Sequence, residues 1–154
     1  MQVFLIRHAL AADETLALGD AHRPLTAAGR LQAKQLGAKL RWYDCGLTHV
    51  WSSPLVRAVQ TAELVIGGFD HDLPIDIAPA LAPDGSHKGL LAALHALPHS
   101  ASIMLVGHEP GMSHLGGVIL GDPGFPPLAK AEAARIVDGK LRWRFAWDAD
   151  APLK

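Results

Sequence analysis

Apolar residues recur along the chain in two rhythms, unbroken runs of four or five and longer stretches spaced by three or four. Val3-Phe4-Leu5-Ile6 and the Ile103–Val106 part of Ser102–Val106 are unbroken runs, the pattern of strands buried on both faces of a parallel sheet. Thr48–Trp51 reads as a further strand, and the proline-interrupted Leu73–Ala82 holds one short strand around Ile75–Ile77. Thr26 is placed to cap a helix running to about Tyr43, with Leu36, Leu40 and Tyr43 on one face. Ser53 is expected to cap a second helix that has Pro54 at its first position and stops at Gly67-Gly68. Its apolar stripe reads Leu55, Val59, Ala62 and Ile66. Lys88–Leu97 forms a third helix ended by Pro98, and Pro110 opens a fourth with Met112, Leu115 and Ile119 inward. Ala134–Val137 and Leu141–Trp147 flank Asp138-Gly139, a hairpin turn that needs positive φ. The polar stretch Ala9–Arg23 reads as a surface loop.

The resulting order, β-α-β-α-(β)-α-β-α-β-β, predicts an α/β fold. It is a three-layer αβα sandwich with a mostly parallel, doubly wound sheet, closed by a C-terminal antiparallel hairpin at one edge. At 154 residues the chain is expected to be one domain, residues 1–154.

Composition narrows the partners. Fourteen basic and fifteen acidic side chains nearly cancel, so an anion must be held by a local site rather than by a global field. No nucleic-acid footprint and no basic run suited to a membrane surface is present. The apolar run Val3–Ile6 is too short for a signal segment or a membrane span. Cys45 is the only cysteine, which excludes an intramolecular disulfide and suits a reducing compartment. A cytoplasmic monomer is expected.

Three strand-to-helix junctions carry unusual polar residues: Arg7-His8, Ser52-Ser53-Pro54-Leu55-Val56-Arg57, and Gly107-His108-Glu109-Pro110. Ligand sites in open α/β sheets form outside the carboxyl ends of the strands, so the three can converge. Two guanidiniums offer planar forks to phosphate oxygens, and Arg57, in the first turn of a helix, adds backbone N–H groups and the helix dipole. A phosphoryl group in a loose transition state needs positioning and charge stabilisation. His8 is the candidate nucleophile, expected to be kept neutral by the two flanking guanidiniums, with its other nitrogen donating to a backbone carbonyl. His108 is the candidate donor to a phosphate oxygen.

Four segments, in order and at compatible spacing, resemble the histidine phosphatase superfamily (the phosphoglycerate mutase-like fold). They are Leu5-Ile6-Arg7-His8; Arg23-Pro24-Leu25-Thr26 with Gly29; Ser52-Ser53-Pro54 with Arg57 and Thr61; and Gly107-His108. The short length and the Arg-Pro-Leu-Thr element point to the SixA branch. That resemblance implies a phosphorylated nucleophile at His8, phosphate clamps at Arg7 and Arg57, and a second pocket histidine at His108. It implies a hydrolase that needs no metal or other cofactor and acts on phosphohistidine in histidine-containing phosphotransfer domains, with inorganic phosphate or another oxyanion in the pocket.

Two positions depart from the pattern. Ala9 stands where glycine is common, a change this branch tolerates. Ala80 stands where many relatives carry a glutamate, in Ala78-Pro79-Ala80-Leu81. An alkoxide leaving group needs a proton in the transition state, whereas imidazole leaves far more readily, so Ala80 favours a P–N substrate. Asp84, His87 and Glu109 are the candidate replacements for the acid. The absence of roofing insertions predicts an open cleft that admits a histidine projecting from a folded partner.

The rival readings are a small-molecule phosphomonoesterase on the same fold and a non-catalytic phosphohistidine-binding adaptor. A nucleophile at His8 speaks against the adaptor. His22, His49, His71, His87, His95, His99 and His114 read as surface or packing residues, and Pro98 keeps His95 and His99 from sharing a metal. Met112 and Trp42, Trp51, Trp143 and Trp147 read as core or hairpin-face residues. Arg23 either ties the Ala9–Thr26 loop or reaches the substrate.

Overall fold

Sheet and helices form in the predicted order, in a computed structural model that describes residues 1–43, 46–69 and 72–154. Cys45 and His71 lie outside the described residues. Strand β1 is Gln2–Arg7, helix α1 Ala27–Leu40, β2 His49–Ser52, α2 Val56–Gly68 and β3 Ile75–Ile77. Then come α3 His87–His95, β4 Ser102–Gly107, α4 Gly111–Leu120, β5 Glu132–Val137 and β6 Lys140–Ala146.

The strands make one sheet in the order β3-β2-β4-β1-β5-β6. β3, β2, β4 and β1 run parallel to one another, and β5 and β6 are antiparallel additions. Alternation along the unbroken runs explains why both faces are covered. Phe4, Ile6, Met104 and Val106 pack on one side with Leu36 and Leu40 of α1 and Ala58, Ala62 and Val65 of α2. Val3, Leu5, Ile103 and Leu105 pack on the other with Leu90 and Leu94 of α3 and Met112 and Leu115 of α4. The three expected layers are therefore present. In the hairpin, Asp138 and Gly139 have φ of 49° and 72°, the positive pair that the turn demands.

Three local readings need correction. Helix α2 begins at Val56, two residues beyond Pro54, because Leu55 is extended (φ −69°, ψ 140°). The Ser53 hydroxyl instead accepts the Leu55 amide at 3.2 Å, capping a turn ahead of the helix. The inward face of α2 carries Arg57, Ala58, Thr61, Ala62, Val65 and Ile66, and Val59 is only half-buried. Two polar residues thus occupy positions that an apolar stripe would claim. Lastly, α1 stops at Leu40, and one tighter turn, Arg41–Tyr43, swings Trp42 into solvent. Tyr43 turns inward instead, 5.0 Å from Trp143 between ring centroids.

The Ala9–Arg23 loop is held down by the Arg-Pro-Leu-Thr element. Arg23 donates to the Ala12 carbonyl at 3.0 Å and pairs with Asp20 at 2.8 Å, and so ties the loop. Leu25 is buried, and Thr26 caps α1 by accepting the Gly29 amide at 3.0 Å. A Cβ on Gly29 would lie 2.0 Å from the Leu10 carbonyl oxygen, which itself accepts the Thr26 amide. Only glycine lets α1 approach the loop this closely. Gly29→Ala is expected to destabilise the protein by about 1–3 kcal/mol through overpacking. Urea unfolding should show a lower midpoint at unchanged m.

Candidate active site

Parallel pairing aligns the carboxyl ends of β1, β4 and β2. Arg7 pairs with Gly107 and Ser52 with Val106, so His8, His108 and Ser53 emerge side by side. Two further backbone bonds extend the ladders past the strands, from His8 N–H to Gly107 O at 3.0 Å and from Ser53 N–H to Val106 O at 2.9 Å. The two imidazoles end with ring centroids 5.0 Å apart. Arg57, in the first turn of α2, brings its guanidinium to the same place. His8, Arg57 and His108 are almost fully buried, at 7%, 4% and 5% exposure.

Each ring is oriented by a partner. His8 Nδ1 lies 2.7 Å from the Ala9 carbonyl, which can only accept, so the proton sits on Nδ1 and Nε2 keeps its lone pair. His108 Nε2 lies 2.7 Å from the Ser53 hydroxyl. Thr61 locks the loop after His8 to α2, accepting the Ala9 amide at 3.1 Å and donating to the Arg57 carbonyl at 2.7 Å. The amide of Ala131, in the left-handed region at φ 54°, donates to the carbonyls of Arg7 (3.2 Å) and His8 (3.3 Å). Arg7 donates through NH1 to the Leu128 carbonyl at 3.0 Å. Arg57 donates to the Asp20 carbonyl at 2.7 Å and to its carboxylate at 3.2 Å.

Among the described residues, four buried side-chain polar atoms lack a partner, and three of them are Arg7 Nε, Arg57 Nε and His108 Nδ1. Unpaired buried polar atoms are costly, and their concentration on these residues marks donors placed to meet a ligand. Two guanidiniums among them select an anion.

Both imidazoles are neutral. Burial is the main cause of pulling His8 down to about 4, with Arg57, Arg7 and Lys130 adding smaller repulsions against the Ala9 bond, which favours the charged ring. His108 falls to about 3, again mainly by burial and then by His8 and Arg57. The expectation that the guanidiniums would be the chief cause is corrected: desolvation outweighs them.

The sequence reading missed three contributors. Asp20 folds back from the loop onto Arg57, which nothing in its spacing reveals. Ser53 reads as a helix cap but also holds His108. Lys130 adds charge to the pocket from the segment before β5. The candidate acids fare unequally. Both carboxylate oxygens of Glu109 are engaged, one by the Leu128 amide at 3.1 Å and the other by the Ser113 amide and hydroxyl at 3.3 and 2.6 Å. His87 stacks on His114 at 5.5 Å between centroids, and Asp84 is exposed. Among the described residues, no three His, Cys, Asp or Glu side chains gather to hold a metal ion, and no helix is long and apolar enough to cross a membrane.

Comparison with known proteins agrees with this geometry. The model of the histidine phosphatase superfamily (branch 1) matches residues 3–83. Phosphohistidine phosphatase SixA of Escherichia coli (strain K12) is 30% identical over 155 residues, covering 95% of this chain and 94% of the relative. The structure of protein histidine phosphatase SixA complexed with tungstate superposes with a TM-score of 0.85 at 28% identity, covering 96% of this chain and 97% of the other. The α-ribazole phosphatase of Shigella flexneri shares the fold at a TM-score of 0.63 and 23% identity, covering 88% and 90%. From the match over its first half, and from its likeness to SixA over nearly its whole length, this chain belongs to the histidine phosphatase superfamily, in the SixA branch.

Proposed function

We propose that the chain is a protein phosphohistidine phosphatase that works through a phosphorylated His8. The observation that carries this reading is the neutral, oriented His8 ring among unpaired donors of Arg7, Arg57 and His108. His8 Nε2 attacks the phosphorus of the substrate phosphohistidine; the new N–P bond forms as the substrate's N–P bond breaks. The substrate ring carries a proton on its second nitrogen and so departs as neutral imidazole, with no proton to be supplied by the site. A water molecule then attacks phospho-His8, releasing inorganic phosphate and restoring the ring. Arg7 and Arg57 hold the equatorial oxygens throughout, and His108 donates to one of them. Ala80 supports the P–N substrate, because no acid stands in the turn where an alkoxide would need one. The likeness to SixA over nearly the full length supports a protein substrate of the histidine-containing phosphotransfer kind.

Incubation with labelled phosphohistidine protein should leave acid-labile, alkali-stable label on His8. His8→Ala should lower phosphate release by at least about 10³-fold, as loss of a nucleophile does. Normal turnover by that variant would overturn the mechanism. Phosphohistidine should be preferred to p-nitrophenyl and sugar phosphates by orders of magnitude in kcat/KM, and equal rates would favour the small-molecule esterase.

Nucleophilic attack requires the neutral ring, and burial supplies it. In phosphate-free buffer, NMR should show no titration of the His8 and His108 rings between pH 7 and 5. Unfolded imidazoles titrate near 6.5, above the folded values of about 4 and about 3, so the unfolded chain takes up protons first. The stability these two groups contribute is full above pH 6.5 and is lost as the pH falls toward 4 and 3. The slope is at most about 1.4 kcal/mol per pH unit for each ring. Urea midpoints measured from pH 7 to pH 4 should therefore fall, and more steeply than in His8→Asn.

A further inference from the structure

Arg57 reaches the candidate site already paired. NH1 donates to the backbone carbonyl of Asp20 at 2.7 Å, and NH2 to its carboxylate Oδ2 at 3.2 Å. The two partners differ in setting: the Arg57 side chain is 5% exposed and that of Asp20 is 49% exposed. A fixed interior cation is thus joined to a carboxylate on the solvent rim. The other carboxylate oxygen, Oδ1, is held by Arg23 through Nε at 2.9 Å and NH2 at 2.8 Å. Arg23 is in turn anchored to the Ala12 carbonyl at 3.0 Å. The Asp20 carboxylate is therefore clamped between two guanidiniums, one facing the pocket and one tying the loop.

This arrangement separates two jobs. The backbone carbonyl of Asp20, with the shorter bond, orients Arg57 whatever side chain position 20 carries. The carboxylate makes the longer contact and places a negative charge on the same guanidinium that would bind the substrate. It does not fit the role of missing proton donor, since Arg23 first and Arg57 second hold its carboxyl below the usual range and keep it ionised. With His8 and His108 both neutral, Asp20 is, among the described residues, the one carboxylate paired with Arg57, against the cations Arg7, Arg57 and Lys130 that act on His8.

We propose that Asp20 sets the oxyanion affinity of the pocket, its carboxylate holding part of the Arg57 fork as an internal anion against which an arriving phosphoryl group must bind. The inference rests on the reading of Arg57 as a phosphate ligand. Two anions on one guanidinium repel each other, so free phosphate is held more weakly than by an unpaired pair of arginines. A protein substrate offsets that loss with contacts outside the pocket; released phosphate has none and departs. Asp20 thereby discriminates between a phosphoryl group delivered on a partner and the free ion.

The test is calorimetric titration of the whole chain with inorganic phosphate and with tungstate. Asp20→Asn keeps the backbone carbonyl and removes the charge, and should bind both anions about two- to fivefold more tightly than the wild type, the range of a partly exposed ion pair. The gain should shrink at high salt. Asp13→Asn, which removes an exposed carboxylate from the same loop, should change neither affinity. Should Asp20→Asn fail to fold, Asp20→Ser serves in its place. Equal or weaker binding by the neutral variant would show that the carboxylate orients Arg57 rather than opposing the ligand, and overturns the proposal. So does an equal gain in Asp13→Asn, which would reduce the effect to overall charge. Absence of binding by the wild type itself would instead overturn the reading of the pocket as a phosphate site.

Discussion

The hydrogen bond from the His8 amide to the Gly107 carbonyl, 3.0 Å long, carries the β1–β4 ladder one step past the strands and fixes where two imidazoles meet. Everything in the candidate site depends on that register. In a parallel pair both strands end at the same edge of the sheet, so residues that follow matched positions emerge as neighbours. Arg7 matches Gly107, and His8 and His108 follow them. A slip of one residue would exchange Phe4 and Ile6 with Leu5 across the sheet and carry the buried side chains to the wrong helices. Because Phe4, Leu5, Ile6, Ile103, Met104, Leu105 and Val106 are all fully buried, the core enforces the register and the register enforces the site. Gly107 belongs to the same constraint. A Cβ there would stand 2.6 Å from Met112 Sδ, at the point where the chain turns from β4 into α4.

Burial also sets the chemistry of the groups so aligned. An imidazole removed from water loses its charged form before any neighbour acts on it, and nearby guanidiniums then add repulsion. A guanidinium cannot respond in this way, since it keeps its proton at any ordinary pH. The same desolvation therefore produces two neutral bases and leaves two permanent cations, which is the combination an anionic electrophile requires. The buried cation Arg57 is compensated by Asp20 from the rim of the loop. That loop is held by Arg23, Thr26 and the close approach at Gly29, so elements remote from the chemistry set the electrostatics of the pocket.

Much of this was legible in the amino-acid sequence because buried parallel strands write themselves as unbroken apolar runs. Val3–Ile6 and Ser102–Val106 could be read without ambiguity, and the residues just after them became the candidate site. Asp138-Gly139 was legible for a similar reason, since few residue pairs accept two positive φ values. The face of α2 was not. Its inward positions include Arg57 and Thr61, polar side chains that mimic an exposed face and shift the apparent stripe by one residue. Trp42 was misread because a single tighter turn after Leu40 changes the phase by which a side chain points inward. The contact of Asp20 with Arg57 spans 37 residues across an irregular loop, and no local periodicity encodes such a return.

Leaving-group chemistry connects these features to a substrate class. The turn Pro79–Leu81 presents Ala80, and Gly85 presses so closely on it that a Cβ would lie 2.2 Å from the Ala80 carbonyl oxygen. Glu109 has both oxygens committed to the Leu128 and Ser113 groups that shape the far wall, where Arg7 also meets the Leu128 carbonyl. An alkoxide expelled into this setting would have to leave as a strong base beside two neutral rings. A phosphohistidine ring already protonated on its other nitrogen leaves as neutral imidazole, a weak base that asks no acid of the site. The barrier is then set by how well the moving phosphoryl oxygens are held, which is a matter of guanidinium placement rather than of proton donation. If His8 is the nucleophile, as proposed, a site that concentrates fixed cations, keeps that ring neutral by desolvation and engages its nearest carboxylates in structure suits the proposed P–N substrate better than a phosphomonoester.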